Sequence, residues 1–340
     1  MTLERRVGVT LGKFAPLHKG HQLLLDAAQR ETDELHVIIY DTDRDVPPLP
    51  VRARWIRDLY PRAIVHEAWD GPLENGYTPE IKRAHERYVK GLLGDVRATH
   101  FYSSEPYGEH MSQALGAIDR RVDMARATVP TSGTDIREDP FARRAQIDPR
   151  VYRDLVANVV LMGAPSTGKT TLAQAIAQEY STVWMPEYGR EYWATHQVDR
   201  RLTPQQLVEI AQGHLEREER ALLDANRFLV TDTNAITTLL FARYYHGHAL
   251  PRLEELASAC ASRYDLFVVC DADIPYDDTA DRSGEANRRV LQAQTLAYLD
   301  THRIPYVRVH GTVEERLAQL RPYLDGIRPY RSPFQHERAA

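Results

Sequence analysis

The sequence predicts an α/β fold class made of two doubly wound parallel-sheet domains. Three observations predict it: short apolar runs alternate with helix-length segments, two glycine-containing loops each follow an apolar run directly, and 340 residues are enough for two cores. We expect the two domains at residues 1–155 and 156–330.

Each expected domain shows this alternation in order. In the first, RVGVTLG and LHVIIYD are typical of strands, and HQLLLDAAQRE and VRARWIRDLY are typical of helices; THFYSSE and RATVP (126–130) are expected to add two more strands. In the second, helices separate the strand-like runs NVVLMG, FLVTDT, LFVVCDA and IPYVRVHG. Between the domains, the proline-containing segment EDPFARRAQIDPRVYRDLVAN is expected to form helical turns. In such sheets, ligands bind at the carboxyl ends of the strands.

Composition narrows the function classes. With 43% hydrophobic and 27% charged residues, no stretch is long and apolar enough to span a bilayer, and MTLERRVGVTLGKF does not have the pattern of a secretory signal. We therefore expect a cytoplasmic protein without a membrane partner. The net charge of −5 argues against a general nucleic-acid binder. Cys260 and Cys270 lie in apolar surroundings and are expected to be reduced core thiols.

The first glycine-containing loop, GKFAPLHKGH at residues 12–21, joins a strand to a helix. Glycine lets the backbone approach a phosphate, and the start of the helix offers free N–H groups and the positive end of the helix dipole. Two histidines three residues apart can share the charge of a pentavalent α-phosphate. A lone histidine here would more often be an ordinary surface residue, but the complete pattern favours a nucleotide site. Its candidate residues are Gly12, Lys13, Phe14, His18, Gly20 and His21.

A second stretch of the same domain, TSGTDIRED at residues 131–139, fits a phosphate-binding helix start. Ser132 or Thr134 can cap the helix, Gly133 leaves its amides accessible, and one turn on Arg137 can fork onto phosphate oxygens. Alone, this stretch would be an ordinary capped helix. Two such motifs at strand ends of one domain favour a triphosphate site.

Together the two motifs resemble those of the HxGH nucleotidyltransferases, which are related to class I aminoacyl-tRNA synthetases. The first matches GxFxPxHxGH and the second matches S-S/G-T-x-x-R. The resemblance implies a Rossmann-like fold and a reaction without a side-chain nucleophile: a phosphate of one substrate attacks the α-phosphate of ATP, and pyrophosphate leaves. Catalysis would then consist mainly of positioning and charge neutralisation, with Mg²⁺ held largely by phosphates and water.

The second loop, GAPSTGKT at residues 163–170, fits the P-loop pattern G-x-x-x-x-G-K-[ST] between an apolar strand and a helix. Its amides are expected to wrap the β-phosphate of ATP, Lys169 to span the β and γ oxygens, and Thr170 to ligate Mg²⁺. Asp232, near the end of FLVTDT, can hold the metal through water or take the proton of an acceptor hydroxyl; capping of the next helix is the alternative role, and the two roles are compatible. The other candidate ATP-binding residues are Gly163, Ala164, Ser166, Thr167, Gly168 and Thr171.

Two polar segments are candidates for binding the substrate of the second domain. In PEYGRE (186–191), Arg190 can grip a phosphate and Glu187 a sugar, with Tyr188 between them; a surface ion pair is an equally open alternative. The segment DDTADRSGEANRR (277–289) is typical of a lid that closes over phosphates, although a solvated loop is the alternative. The lid candidates are Arg282 and one of Arg288 or Arg289.

Nearly the whole chain resembles the NadR-type bifunctional proteins, which join nicotinamide mononucleotide (NMN) adenylyltransferase to ribosylnicotinamide kinase. The matching pieces, in order, are GKFAPLHKGH, the RxRW of VRARW, FYSSEPYG, SGTDIR, the P-loop, PEYGRE, AQGH and TDTNAITT. The resemblance implies that one half phosphorylates nicotinamide riboside with ATP, and that the other adenylylates the resulting NMN to NAD. A homo-oligomer stays open, since relatives are often oligomeric.

The resemblance also implies roles for single residues. Asp232 would be the acidic catalytic residue of the kinase, which Arg190 and Arg282 would also serve. Arg54 and Trp55 would lie near the mononucleotide. The segment 69–85 does not have the tryptophan-rich form expected around the nicotinamide, and Trp69 or Tyr77 can stack on the ring instead; a plain core role is the alternative for both.

The chain also departs from the family in that no DNA-binding helix-turn-helix is found ahead of the first strand, so repression of transcription is not predicted.

Rival functions stay open. The family's lid pattern DDGxR reads DTADR in this chain. The altered lid keeps open a regulatory switch that binds ATP or NAD with little turnover. A fused phosphopantetheine adenylyltransferase and dephospho-coenzyme A kinase would pair the same folds. Such adenylyltransferases usually have threonine where this chain has His18.

Overall fold

The computed structural model describes residues 5–44, 46–72, 74, 76–199, 201–276 and 285–334. The chain divides into two compact units, unit 1 (Met1–Asp154) and unit 2 (Leu155–Ala340). Each unit contains a five-stranded sheet in which all strand pairs are parallel. The predicted fold class is therefore confirmed. The assignment of an adenylyltransferase to residues 1–155 and a kinase to 156–330 stays a prediction.

The sheet of unit 1 has the strand order β3-β2-β1-β4-β5. Its strands are β1 (Val7–Gly12), β2 (Glu34–Tyr40), β3 (Ile64–Ala68), β4 (His100–Ser103) and β5 (Ile118–Arg121). Its helices are α1 (Lys19–Glu31), α2 (Leu49–Leu59), α3 (Pro79–Leu93), α4 (Gly108–Leu115), α5 (Gly133–Glu138) and α6 (Pro149–Arg153), with a 3-10 turn at Arg144–Gln146. The helical turns expected between the domains are α6 and this 3-10 turn.

The prediction of a strand at residues 126–130 is wrong, because the fifth strand is β5, eight residues earlier in the chain. The carboxylate of Asp123 accepts hydrogen bonds from the backbone amides of Ala127, Thr128 and Val129, and this holds RATVP as a loop. The sequence of β5, IDRR, forms an exposed edge strand and carries no apolar run. Periodicity therefore could not indicate it.

The sheet of unit 2 has the strand order β10-β9-β6-β8-β7. Its strands are β6 (Ala157–Met162), β7 (Trp184–Met185), β8 (Phe228–Asp232), β9 (Leu266–Cys270) and β10 (Tyr306–Val309). Its helices are α7 (Lys169–Glu179), α8 (Tyr188–His196), α9 (Pro204–Ala221), α10 (Ala235–His246), α11 (Pro251–Arg263), α12 (Glu285–Thr301) and α13 (Val313–Leu324).

The strands of unit 2 could be predicted from the sequence because they are buried. Every residue of β6, β8 and β9 is buried, and separate apolar clusters pack on the two faces of the sheet. Strands covered on both faces have nearly continuous apolar sequences. Cys260 and Cys270 are free buried thiols, as predicted, and burial raises the pKa of each to about 12. No helix among the described residues is long and apolar enough to cross a membrane.

Both glycine-containing loops leave the sheets at equivalent places. β1 lies between β2 and β4, and β6 lies between β8 and β9. At each of these strands the chain connections diverge to opposite sides, which opens a crevice at the carboxyl end. The loops that follow β1 and β6 lead into α1 and α7, so each helix amino terminus faces such a crevice.

Candidate nucleotide-binding sites

The two histidines of the unit 1 loop cap the start of α1 for each other. His18 Nδ1 accepts hydrogen bonds from the backbone amides of Gly20 at 3.1 Å and His21 at 3.4 Å, while His21 Nδ1 accepts from the His18 amide at 3.4 Å. The two rings stack with their centroids 3.7 Å apart. Because Nδ1 is an acceptor in both rings, each neutral imidazole carries its proton on Nε2. The His21 ring also makes a hydrogen bond to the Pro16 backbone.

Both histidines are neutral near pH 7. Burial, followed by the neighbouring charges of Arg126 and Arg137, lowers the pKa of His18 to about 4. Burial, followed by His18 and Arg126, also lowers the pKa of His21 well below its ordinary value. The rings therefore enter the site as hydrogen-bond donors, and the positive charge of the site comes from other side chains.

Several basic side chains supply that charge. Burial lowers the pKa of Lys13, and the next cause is Arg44, followed with the same sign by Arg52 and Arg137. Cations that destabilise one another's charged forms create a strong preference for a bound anion. Arg44 and Arg126 were not among the predicted site residues, because both lie on loops without a motif.

The second motif of unit 1 packs directly on the first. Arg137 donates to the Ala15 carbonyl at 2.6 Å, across 122 positions of sequence, and to Thr134 Oγ1 at 3.0 Å. Ser132 Oγ accepts from the Asp135 amide and caps α5. A Cβ at Gly133 would lie 3.2 Å from the Ala15 carbonyl oxygen, so glycine permits this close approach. The two motifs form one cluster, which also contains Phe14, whose ring meets His21 edge-on at 5.0 Å.

The buried side chain of Arg52 holds the backbone of the loop that follows β1. Arg52 donates to the carbonyls of Lys13 at 2.5 Å and Tyr40 at 2.9 Å, and to Asp41 Oδ1 at 3.2 Å. It thereby ties the loop after β1, which starts at Gly12, to the end of β2. Arg52 is the first arginine of the RxRW pattern, whereas the predicted site residues are the arginine and tryptophan that end it.

The remaining predicted residues of unit 1 are not part of this cluster of contacts. Arg54 and Trp55 both donate to Asp154 Oδ2, at 2.6 and 2.7 Å. Trp69 and Tyr77 are 58% and 59% exposed, which argues against a core role for either. The predicted contacts of these four side chains with a mononucleotide stay predictions.

The P-loop of unit 2 adopts a conformation that requires glycine at two positions. Gly163 has φ +132° and Gly168 has φ +80°. A Cβ at Gly163 would also lie 2.7 Å from the Cys270 carbonyl oxygen. Lys169 is buried, and its Nζ donates to the carbonyls of Gly163 at 3.0 Å and Ala164 at 2.9 Å. The lysine therefore lies against its own loop, at the start of α7.

The two predicted metal ligands of unit 2, Thr170 and Asp232, form a hydrogen bond with each other. Thr170 Oγ1 donates to Asp232 Oδ2 at 2.5 Å, and the fully buried Asp232 has no hydrogen-bond partner at Oδ1. A buried carboxylate oxygen without a partner fits an Mg²⁺-bound water, so these residues suit the metal. The alternative that Asp232 caps α10 is wrong, because Asn234 Oδ1 accepts from the amides of Ile236 and Thr237.

Three buried side chains from α12 and α13 hold the backbone of the P-loop. Gln292 Oε1 accepts from the Ala164 amide at 2.8 Å, Arg288 donates to the Ser166 carbonyl at 3.0 Å, and Arg316 donates to the Thr167 carbonyl at 2.5 Å. Gln292 and Arg316 were missed because more than 120 residues separate them from the loop and no motif marks them. Arg282 lies outside the described residues. Thr171 is exposed in the first turn of α7.

The PEYGRE segment lies at the start of α8. Arg190 and Glu187 form an ion pair at 4.0 Å, a distance that leaves both predicted alternatives open. The ring of Tyr188 is fixed between Gly213 and Arg217, whose guanidinium lies 4.0 Å above the ring centroid. Tyr188 is thereby held in a defined orientation at the edge of unit 2.

Comparisons with known proteins agree with this architecture. A family model described as an AAA domain matches residues 158–316. The chain is 29% identical over 333 residues to the trifunctional NAD biosynthesis/regulator protein NadR of Escherichia coli K12, covering 90% of this chain and 79% of that protein. The NadR protein of Salmonella typhimurium LT2 is also 29% identical, over 331 residues and with the same coverage.

Two solved structures share the fold along nearly the whole chain. A crystal structure of a NadR protein in complex with NAD and AMP-PNP superposes with a TM-score of 0.58, at 23% identity, covering 96% of this chain and 98% of that one. A NadR crystal structure in complex with NR has the same TM-score and identity, covering 97% and 98%.

Proposed function

We propose, from the premise that this chain is a homologue of the NadR proteins, that it is a bifunctional enzyme of NAD biosynthesis. Unit 2 phosphorylates nicotinamide riboside with ATP to give NMN and ADP. Unit 1 then joins NMN to the adenylyl group of a second ATP, which gives NAD and pyrophosphate. The observation that carries the proposal is the pair of unlike nucleotide loops, one in each unit, on a chain that aligns with NadR over 90% of its length.

In unit 1 the geometry suits attack on the α-phosphate. A phosphate oxygen of NMN forms a bond to the α-phosphorus while the bond to pyrophosphate breaks, so the enzyme needs no nucleophile of its own. His18 and His21 donate from Nε2 to the oxygens on which charge develops. Lys13 and Arg137 neutralise the triphosphate, and their neighbours Arg44 and Arg126 strengthen the field. Preorganised donors of this kind stabilise the transition state more than the ground state.

In unit 2 the geometry suits transfer of the γ-phosphate. The P-loop amides and Lys169 hold the β- and γ-phosphates, and the γ-phosphoryl passes to the 5′ hydroxyl of the riboside with ADP as the leaving group. Mg²⁺, when bound by Thr170 and through water by Asp232, supplies charge that offsets the negative charge of the phosphates. Asp232 lies where it can also take the hydroxyl proton. Glu187, Tyr188 and Arg190 are the proposed contacts of the riboside and its phosphate.

The proposal is tested by supplying the two pathway substrates separately. Purified protein receives ATP and Mg²⁺ with either NMN or nicotinamide riboside, and NAD, NMN and ADP are followed by chromatography. We expect NAD and pyrophosphate from NMN, and NMN plus ADP followed by NAD from the riboside. Omitting Mg²⁺ should stop both reactions.

The rival functions give different products in the same assay. Turnover of phosphopantetheine or dephospho-coenzyme A in place of the nicotinamide substrates would support the coenzyme A fusion. Binding of ATP or NAD without any product would support a regulatory switch. Either result would overturn the proposed function.

A further inference from the structure

Among the described residues, Arg316 is the most fully buried basic side chain at the P-loop of unit 2. It lies in the first turn of α13, and its side chain is 2% exposed. Its Nη1 donates to the Thr167 carbonyl at 2.5 Å and its Nε to the Gly311 carbonyl at 2.9 Å. Burial of a guanidinium is costly unless its donors are satisfied, so these bonds hold it in one position.

The other end of the guanidinium is fixed by the chain that follows β9. Nη2 donates to Asp273 Oδ1 at 2.6 Å and to the Asp271 carbonyl at 3.3 Å, and Asp273 Oδ2 accepts from the Gly311 amide at 2.5 Å. Arg316 therefore joins the P-loop to the ends of two neighbouring strands, β9 and β10. A lysine could not make these bonds together, since it lacks the planar fork.

The contact between Arg316 and the Thr167 carbonyl also affects the Gly168 amide, which belongs to the same peptide group. A trans peptide is planar, so the C=O of Thr167 and the N–H of Gly168 point in opposite directions. A cation held at the carbonyl therefore turns the Gly168 N–H away from Arg316 and withdraws electron density from it. A Cβ at Gly168 would lie 3.4 Å from Arg316 Nη1, which shows how closely the guanidinium packs on this peptide.

A second arginine acts on the preceding peptide. Arg288 of α12 donates from Nη2 to the Ser166 carbonyl at 3.0 Å and to the Ile274 carbonyl at 2.9 Å. By the same planarity, the Thr167 amide points away from Arg288. Ser166 has φ +63° and Gly168 has φ +80°, which is the alternating backbone of an anion-binding nest.

We propose that Arg316, with Arg288, is a positioning residue that orients and polarises two consecutive P-loop amides toward the β-phosphate of the nucleotide from the outer side of the loop. Both guanidinium groups contact the P-loop backbone at its carbonyl oxygens. In phosphoryl transfer to an acceptor, negative charge builds on the β-phosphate as ADP leaves, so a polarised amide there acts most strongly in the transition state. The kinetic part of this proposal rests on the proposed kinase activity of unit 2, whereas the nucleotide-binding part does not.

One resonance reports on this peptide directly. Thr167–Gly168 is the only place in the sequence where threonine precedes glycine. Labelling threonine with ¹³C at the carbonyl and glycine with ¹⁵N therefore selects a single amide, Gly168, in the full-length protein. Its proton shift is recorded without nucleotide and with Mg²⁺ and AMP-PNP.

The expected result is specific to the arginine. Relative to wild type, Arg316→Gln should move the free Gly168 proton upfield, shrink its downfield shift on nucleotide binding, and weaken AMP-PNP binding to unit 2 by about tenfold, as loss of a charge-assisted hydrogen bond typically does. In the kinase assay kcat should fall more than KM rises. Arg316→Lys keeps the charge without the fork and should be intermediate. Arg288→Gln should act in the same direction but more weakly.

Matched variants separate positioning from general stability. Arg263→Gln removes a partly buried arginine of unit 2, which pairs with Glu218 at 2.6 Å. Arg321→Gln removes an exposed ion pair with Glu179 at 2.7 Å on the same helix as Arg316. Neither should move the Gly168 resonance. If Arg316→Gln leaves unit 2 unfolded, Arg316→Lys and Arg288→Gln carry the test.

Two results would overturn the proposal. One is an unchanged Gly168 shift and unchanged AMP-PNP affinity in folded Arg316→Gln, or in Arg316→Lys and Arg288→Gln together. The other is an equal loss in Arg263→Gln, which would make the effect one of stability. Failure of the wild-type protein to phosphorylate nicotinamide riboside would instead remove the proposed function, and the Gly168 experiment would still decide the role of Arg316.

Discussion

The two nucleotide loops of this protein leave equivalent positions in two similar sheets, yet they meet phosphate with different chemistry. In unit 1 the donors are the neutral imidazoles of His18 and His21, and the charge comes from the surrounding arginines and Lys13. In unit 2 the donors are backbone amides, and the side chains at the loop are Lys169 and the Thr170–Asp232 pair. Under the proposed function, the difference follows from which phosphorus atom reacts.

Attack at the α-phosphorus leaves pyrophosphate, so negative charge develops around a reacting atom that lies between the incoming phosphate and the leaving pyrophosphate. Side chains that come from several loops can surround such a centre. Transfer of the γ-phosphate instead requires a firm hold on the β-phosphate and a metal between β and γ, which one loop and one strand end supply. In the proposed function, one fold class thus serves two reactions through the side chains at its strand ends.

The largest difference between the activities of the two units is expected from Lys169→Ala. The lysine is proposed to span the β and γ oxygens in unit 2 and has no part in unit 1, so riboside phosphorylation should fall to background while adenylylation of NMN is retained. Both rates are measured on the same preparation. Loss of both activities would show that the two units do not function independently.

The reverse pattern is expected from His21→Ala. Adenylylation should fall by ~100-fold or more, as removal of one transition-state donor typically does, while riboside phosphorylation is unchanged. His21→Ala also removes the ring that accepts from the His18 amide, so thermal unfolding is followed as a control. Normal adenylylation in a folded variant would exclude the histidine from the mechanism.

The lowered pKa of His18 predicts that the stability of the protein depends on pH. An unfolded histidine titrates near 6.5, whereas the pKa of folded His18 is about 4, so the unfolded chain binds more protons between these values. The contribution of His18 to stability is complete above about pH 6.5 and is lost as the pH falls toward 4.

The variant His18→Asn sharpens this test, since asparagine keeps a capping acceptor but does not titrate. Urea unfolding of the full chain between pH 7 and 5 should show a midpoint that falls with pH in the wild type and falls less in His18→Asn. Equal slopes would contradict a neutral, buried His18.

The smallest effect is expected from Arg54→Gln. Arg54 is about half exposed and pairs with Asp154, so stability should change by less than about 1 kcal/mol. If the residue also lies near the mononucleotide, as the RxRW resemblance implies, the KM for NMN should rise severalfold with little change in kcat. An unchanged KM would contradict the predicted position of Arg54 near the mononucleotide.

Prediction from sequence succeeded where one stretch of chain contains the whole signal. β6, β8 and β9 are buried on both faces and their sequences are largely apolar, and the contacts by which His18 and His21 cap α1 lie within their own loop. The strand prediction failed at β5, whose exposed sequence has no apolar pattern, and at RATVP, which Asp123 holds as a loop.

The site was predictable only where a motif marks it. Lys13 and Arg137 belong to motifs, but Arg44 and Arg126 reach the same cluster from loops, and only folding shows their proximity to the histidines. Arg316 reaches the P-loop across 149 positions of sequence. An isolated arginine in a helix is usually a solvated residue, so its burial against a backbone carbonyl could not be read from one sequence.

The central claim is that each unit binds its own nucleotide. Calorimetric titration of the full-length protein with AMP-PNP and Mg²⁺ tests it most directly, with Lys169→Ala and His21→Ala as the paired variants. The account predicts two sites per wild-type chain and one per variant chain, with a different site lost in each. A single site in the wild type, or loss of the same site in both variants, would contradict it.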